Sequence, residues 1–466
     1  MNNYIFLLFG VSGDLAKRKL IPALYQLYAE KKLGNVIILG VAHTVEDRMR
    51  IVERAQEYIE TIDQKLWQEF VQRFFYLQAD VTKEDDMTRV AQRIEELEKE
   101  YKLTGNRIAY LAVAGHLFAP ITQMLAKVGI CRKLAADQPM WHRIVYEKPF
   151  GYNSDSAHEI NQMTANYFYE AQIYRIDHYL TKEIVSNIAL LRFTNAVFEP
   201  LWNNRFIDQV HIILDETMGI EGRAGYYDNY GAVRDVVQNH MLQLLALVAM
   251  EMPHRLTSEY IRDERYKVLQ NLVCTDGLLG QYEGYLTEPG VKNNSTTETF
   301  ALLRMQINNS RWQGVPFFIR TGKKLRKNEV AVHIKFKAVD CLMIKGCSVP
   351  ANWLTISLSP DALFSLRLNV KKPGYQDELV PIDMSFCHSC VFKTRATQAY
   401  EALVQDVVQG EQASAVRADE IEAAWHVVDT LMRMSFPLYS YTAQSDGPHE
   451  IERCIQQWNM YKTPSN

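Results

Sequence analysis

The chain has 466 residues, 47% hydrophobic and 23% charged, with a formal net charge of −4. This length predicts two or three domains with ample core material. The balance of charge excludes a bulk electrostatic footprint for nucleic acid or an anionic membrane, and no apolar run reaches a bilayer span. The run Tyr4 to Phe9 enters Gly10 without a basic leader, so it reads as a first strand, not a signal peptide. Seven Cys in a chain this long predict a reducing, cytoplasmic setting without a disulfide framework. Cys387-His388-Ser389-Cys390 is a lone CxxC with no second ligand pair at metal-site spacing, so no metal is expected.

The first strand ends at Gly10-Val11-Ser12-Gly13-Asp14-Leu15-Ala16, and a helical pattern follows through Leu20, Leu24 and Leu27. Strand, glycine turn and helix is the context in which Gly10 permits a tight turn and Gly13 lets backbone approach a pyrophosphate. A second strand, Val36 to Ala42, ends at His43-Thr44, with Arg48 and Arg50 downstream; no Asp or Glu stands at its end to take ribose hydroxyls. Helix is predicted over 51–70, strand over 74–77, helix over 83–101 and strand over 107–113. Another helix begins near Pro120, and a strand covers 143–146. This alternation predicts a Rossmann-type doubly wound α/β domain over 1–176, with ligands beyond the strand C-termini. Three loops converge there: 10–13, 112–115 and 147–151. In the last, Lys148 suits contact with both a nicotinamide and a substrate hydroxyl, and its bond to Pro149 is a candidate for the cis form. A surface lysine before a helix-starting proline is the plain alternative.

Past Asp177 the pattern changes. A helix is predicted over 182–193, a strand over 209–217 and a long helix over 234–250. Strand-type runs follow at 299–307, 316–320, 330–336, 354–358 and 363–370, then helices at 396–409 and 418–434. Residues 177–466 therefore read as an α+β domain with a large, mostly antiparallel sheet. Two polar clusters mark it. If a helix begins near Asp177, His178, Tyr179 and Lys182 share a face, offering imidazole, phenol and ammonium to a phosphate; an Asp cap before a solvated turn is the alternative. Farther on, Asp235, Asn239 and His240 adjoin one face of an otherwise apolar helix. His240 there is either a satisfied core histidine or a general base needing a carboxylate, for which Asp177 is a candidate.

Taken together, GVSGDLAKRKLIPALY at 10–25, EKPFG at 147–151, RIDHYLTKE at 175–183, FEPLWNNRFI at 198–207, DETMGIEGRAGYYDNYGAVRDVVQNHMLQ at 215–243, GVPFFIRTGKKL at 314–325 and ADEIEAAW at 418–425 resemble the glucose-6-phosphate dehydrogenases over nearly the whole chain. The resemblance implies oxidation of glucose 6-phosphate to 6-phosphogluconolactone with hydride transfer to NADP, with NAD as the other acceptor to test. His240 would take the proton of the anomeric hydroxyl and Asp177 would stabilise the imidazolium. His178, Tyr179 and Lys182 would cradle the phosphate. Lys148 would touch sugar and cofactor, and Lys19, Glu216, Asp235 and Lys323 would hold the sugar. Gly10, Ser12, Gly13, Asp14, Leu15, His43 and Lys148 would line the cofactor. A homodimer or homotetramer is implied, without nucleic-acid or membrane partners. Three positions depart from the family pattern: Thr181 replaces Gly, His43 replaces the Arg facing the NADP phosphate, and Asn328 stands where a basic residue is common. His43 and Asn328 keep open an NAD-preferring or dual-cofactor dehydrogenase of a related sugar phosphate. A non-catalytic ligand-binding homologue is the alternative of another class.

Overall fold

The computed structural model describes residues 3–135, 137–339, 349–374, 379–387 and 397–464. It falls into two units. The first comprises Met1–Lys182, Arg255–Arg262 and Thr397–Glu422; the second comprises Glu183–His254, Asp263–Ala396 and Ala423–Asn466. The single cut expected at 176/177 differs from this division, because two later segments return to the first unit.

In the first unit, β1 (Asn3–Phe9), β2 (Asn35–Ala42), β3 (Phe74–Gln78), β4 (Asn106–Leu111), β5 (His142–Tyr146) and β6 (Ile173–Arg175) form a sheet in the order β3-β2-β1-β4-β5-β6. All its pairings are parallel. Alternate residues of β1 feed two cores: Tyr4, Phe6 and Leu8 enter one face, and Ile5, Leu7 and Phe9 the other. A parallel sheet covered on both faces needs such an unbroken apolar strand. The helix predicted over 51–70 is two helices, Arg48–Gln56 and Gln64–Gln72. The break has a cause: Asp63 caps the second helix, accepting from the N–H groups of Lys65 and Leu66 at 2.9 and 3.0 Å.

The returning helix Ala399–Gln409 buries Leu403, Val404 and Val407 in the same core as Tyr4 and Phe6. Arg143 of β5 donates to the carbonyls of Val407 and Val408 at 2.6 and 2.8 Å, satisfying the helix C-terminus with a cation. The chain then runs beside β6, where Val416 N–H donates to Arg175 and Gln412 donates to the carbonyl of Ile173.

The second unit holds β7 (Ile207–Asp215), β8 (Leu272–Tyr282), β9 (Phe300–Ile307), β10 (Phe317–Gly322), β11 (Glu329–Phe336), β12 (Trp353–Ser359), β13 (Leu363–Lys371), β14 (Leu379–Cys387) and β15 (Leu438–Tyr441). Among the described residues these make one nine-stranded sheet, ordered β14-β13-β12-β11-β7-β10-β9-β8-β15. It is antiparallel except where β10 meets β7 and β15 meets β8. Cys131, Cys274 and Cys454 carry free thiols. Cys387, at the end of β14, is disulfide-bonded, which the cysteine count did not anticipate. The rest of the CxxC, residues 388–390, lies outside the described residues.

Candidate active site

The predicted site residues divide between the units. In the first, Gly10, Ser12, Gly13, Asp14 and Leu15 form the turn that leaves β1 beside the end of β4. The order of strands reverses between β1 and β4, the place where such sheets bind ligands. Gly10 has φ +79, and a Cβ there would stand 2.3 Å from the Ala112 carbonyl oxygen, so the close approach of the two loops requires glycine. Its N–H donates to Val41, and Gly13 N–H donates back to the Gly10 carbonyl at 2.9 Å. The turn then enters a π-helical stretch, Ala16–Leu20, with Ala16 buried and Lys19 exposed. This strand, tight turn and helix start fit a dinucleotide pyrophosphate. The Asp14 carboxylate is engaged by Arg18 at 2.9 Å and Lys17 at 3.2 Å.

His43 is exposed at the end of β2, its carbonyl accepting from Gln78. Ser12 and Thr44 hydroxyls lie 3.3 Å apart there. Arg48 donates to the Phe74 carbonyl, while Arg50 stays exposed. Lys148 follows β5, and its bond to Pro149 is cis.

The stretch beginning at Asp177 is a series of turns, and helix starts only at Glu183. Asp177 does cap: its carboxylate accepts from Tyr179 N–H at 2.9 Å. The cap closes one turn instead of launching a helix. His178, Tyr179 and Lys182 are gathered by ring contacts: His178 lies 4.8 Å from the Tyr179 ring, and Lys182 Nζ stands 4.5 Å over it. Thr181, expected on a helix, sits within these turns and donates its hydroxyl to the His178 carbonyl at 3.0 Å. A glycine there could not make that bond.

In the second unit, Lys323 follows β10 and Glu216 follows β7, its parallel neighbour. The buried Lys323 ammonium donates to the Glu216 carboxylate at 2.5 Å and lies 5.2 Å over the Tyr227 ring. Burial first, then the nearby carboxylates of Asp235, Glu298 and Glu216, holds the Tyr227 hydroxyl well above its usual range. Tyr226 donates to Asp235 at 3.2 Å.

The long helix expected over 234–250 is π-helical from Val233 to Met241 and α-helical from Leu242 to Ala249. Hydrogen bonds from i to i+5 widen the turn, so Asp235 and His240, five apart, come onto one face; both are buried. The π stretch begins after Gly231, at φ 68 and ψ 179. Glu298 caps it: its carboxylate accepts from Val233 N–H at 3.0 Å and its carbonyl from Ala232 N–H at 2.9 Å. Asn328 accepts from the Thr217 N–H and hydroxyl at 2.8 and 3.1 Å, tying down the residue after Glu216.

Sequence reasoning missed the tyrosines. Tyr226 and Tyr227 lay inside the segment singled out for Asp235 and His240, and a Tyr pair nine and eight residues before Asp235 was their signal. Tyr110 and Tyr400 gave none, because they meet Glu147 only through the fold.

Residues 7–187 match the family described as "Glucose-6-phosphate dehydrogenase, NAD binding domain", and residues 189–461 match "Glucose-6-phosphate dehydrogenase, C-terminal domain". The chain is 37% identical to the glucose-6-phosphate 1-dehydrogenase of Aggregatibacter actinomycetemcomitans, over 99% of this chain and 98% of that one. It is 36% identical to the Bacillus subtilis (strain 168) enzyme of the same name, over 98% of each. A solved glucose-6-phosphate dehydrogenase in complex with its substrate glucose 6-phosphate superposes with a TM-score of 0.91 at 32% identity, covering 100% of this chain and 99% of that one.

Proposed function

The chain belongs to the glucose-6-phosphate dehydrogenase family, and from that premise we propose how its residues oxidise D-glucose 6-phosphate to 6-phospho-D-glucono-1,5-lactone with NADP. The observation that carries the reading is the π stretch Val233–Met241, which brings His240 and Asp235 onto one buried face. His240 takes the proton of the anomeric hydroxyl, since a neutral imidazole accepts a proton near pH 7. The hydrogen on the same carbon leaves as hydride, and a lactone carbonyl remains. NADP, when bound, supplies the hydride acceptor, and Gly10, Ser12, Gly13, Asp14, Leu15, His43 and Lys148 would hold it. His178, Tyr179 and Lys182 hold the phosphate dianion, away from the reacting carbon. Glu216, Asp235, Lys323 and Lys19 orient the sugar. Lys148 and Asp177 take the roles that the resemblance implies.

The test is the initial rate with glucose 6-phosphate over a concentration series of NADP and of NAD. Reduction of NADP is expected; no reduction of either acceptor would refute the reading. In the active protein, His240→Asn should lower turnover by several orders of magnitude while substrate still binds. Near-normal turnover would take His240 out of its role.

No helix among the described residues is long and apolar enough to cross a membrane. Cys131, Cys274 and Cys454 keep free thiols while Cys387 is disulfide-bonded, so the cytoplasmic setting is an expectation for subcellular fractionation to check. The edge strand β14 exposes Ile382, Met384 and Phe386, which supports a homo-oligomer. Sedimentation velocity should show at least a dimer, and a monomer at micromolar concentration would remove that expectation.

A further inference from the structure

The roles above leave several buried acids unused, and one of them adjoins the proposed site. It is Glu147, the residue before Lys148, only 8% exposed. Tyr110 from β4 donates to its carboxylate at 2.5 Å. Tyr400, in the returning helix Ala399–Gln409, is hydrogen-bonded to it as well. Tyr400 has a second contact. Its ring lies nearly parallel to that of His178, at 6.4 Å between centroids and 13° between planes. His178 in turn meets Tyr179, over which Lys182 stands. One phenol therefore touches, by its hydroxyl, the residue that precedes Lys148 and, by its face, the first of the three proposed phosphate ligands.

A buried carboxylate is expensive, and an apolar residue in the same place would often be as stable. Directional hydrogen bonds are what the acid adds. Two hydroxyls that converge on one carboxylate fix both rings and the end of β5 more narrowly than apolar packing does. The ends of this arrangement are the Lys148 loop and the Asp177–Lys182 turns, whose separation sets the span between a sugar and its phosphate.

We propose that Glu147 and Tyr400 are positioning residues for the sugar phosphate: together they form a strut that fixes the His178 turn against the Lys148 loop. The strut rests on the reading that His178, Tyr179 and Lys182 hold the phosphate. It brings helix Ala399–Gln409, over two hundred residues away in sequence, into substrate recognition.

The test uses the full chain with three variants: Tyr400→Phe keeps the ring on His178 and removes the bond to Glu147, Tyr400→Leu removes both, and Glu147→Gln removes the charge. Three quantities are measured: KM and kcat for glucose 6-phosphate with NADP, inhibition by inorganic phosphate, and the melting temperature. Tyr400→Leu should raise the KM for glucose 6-phosphate and the phosphate inhibition constant about tenfold, with the KM for NADP changed less than about twofold. Tyr400→Phe, which keeps the ring on His178 but cuts the strut at Glu147, should give an intermediate rise in the phosphate constant, about threefold, and a constant equal to the parent's would take Glu147 out of the strut. Glu147→Gln should lower kcat about tenfold, since its loss loosens the Lys148 side first. A purely structural role would lower the melting temperature and leave these ratios alone. Unchanged constants in a folded Tyr400→Leu would overturn the strut. An inactive parent would defeat the functional reading instead; the thermal shift given by inorganic phosphate, compared between the parent and Tyr400→Leu, would still decide the strut.

Discussion

The two sheets put their ionisable groups in opposite places. In the parallel sheet of the first unit, the interior of β1 is apolar from Tyr4 to Phe9, and chemistry is pushed to loops beyond the strand ends. In the sheet of the second unit, charge lies within the strands. His211 of β7 faces His333 of β11 in register, and Asp215, Arg320, Glu329 and Lys335 share the three central strands. Burial, then the neighbouring His333, Arg320 and Lys335, pulls the His211 imidazole down to about 3. Burial outweighs the Arg320 pairing and lifts the Asp215 carboxyl to about 6. Against burial, the nearby His333 ring and Lys327 ammonium draw Glu329 down to about 2. The difference teaches where register comes from. An unbroken apolar strand covered on both faces carries no penalty of its own against a one-residue slip, whereas cross-strand charge partners penalise one in the second unit.

The largest way to break that comparison is Asp215→Ala. It strips Arg320 of its nearest carboxylate and should cost about 4 kcal/mol in chemical denaturation. Ile5→Val in the first sheet should cost only about 1 kcal/mol. A loss below that for Asp215→Ala would mean that the strand charges are solvated and set nothing.

Next in size is a pH effect in the first unit. Burial, opposed chiefly by the Tyr110 hydrogen bond, raises the Glu147 carboxyl from 4.5 to about 7. Between those values the folded chain binds more protons than the unfolded one, so stability falls as pH rises through that window and levels off above it. The loss is of order 3 kcal/mol. Glu147→Gln cannot titrate, so relative to it the parent should lose stability between pH 4.5 and 7. A constant difference across that range would show that Glu147 is hydrated.

Gly231→Ala comes third. The conformation at φ 68, ψ 179 is open almost only to glycine, and the added Cβ would lie 2.4 Å from the Glu298 carboxylate that caps the π stretch. Unfolding should be easier by about 2 kcal/mol, and turnover should fall with it, because the cap holds the helix that carries Asp235 and His240.

The comparison also explains what could be read in advance. The alternation of strand runs with helical patterns announced a parallel, doubly wound sheet, and the glycine turn after β1 announced the ligand edge. In the second unit β8 escaped notice because Asp276, Gly277 and Gly280 interrupt its apolar pattern, and β14 because Pro381 and Asp383 break its own. The turns at 177–182 mimic a helix start, since an Asp cap looks the same in sequence whether one turn or several follow. Nothing local distinguishes Val233–Met241 as π-helical; Gly231 and the distant Glu298 set its start. The return of Ala399–Gln409 to the first unit depends on Arg143 and on the Tyr4 core, which no window around residue 400 contains.

The smallest effect concerns Asn328, where the family pattern favours a basic residue. Here the amide oxygen accepts two bonds from Thr217, and neighbouring Lys327 is held by Glu329 at 2.8 Å. A cation could not accept those bonds, so the asparagine serves the protein's own backbone beside Glu216. Asn328→Ala should then cost about 1 kcal/mol of stability and raise the KM for glucose 6-phosphate about twofold through the loosened Glu216–Lys323 pair. Asn328→Lys should lose the same stability. Its KM separates two accounts of the position. A KM equal to that of the alanine variant means that the backbone tie is all the residue provides. A KM below the parent's means that a cation there does reach the sugar phosphate, and that Asn328 gave up affinity to secure the end of β7.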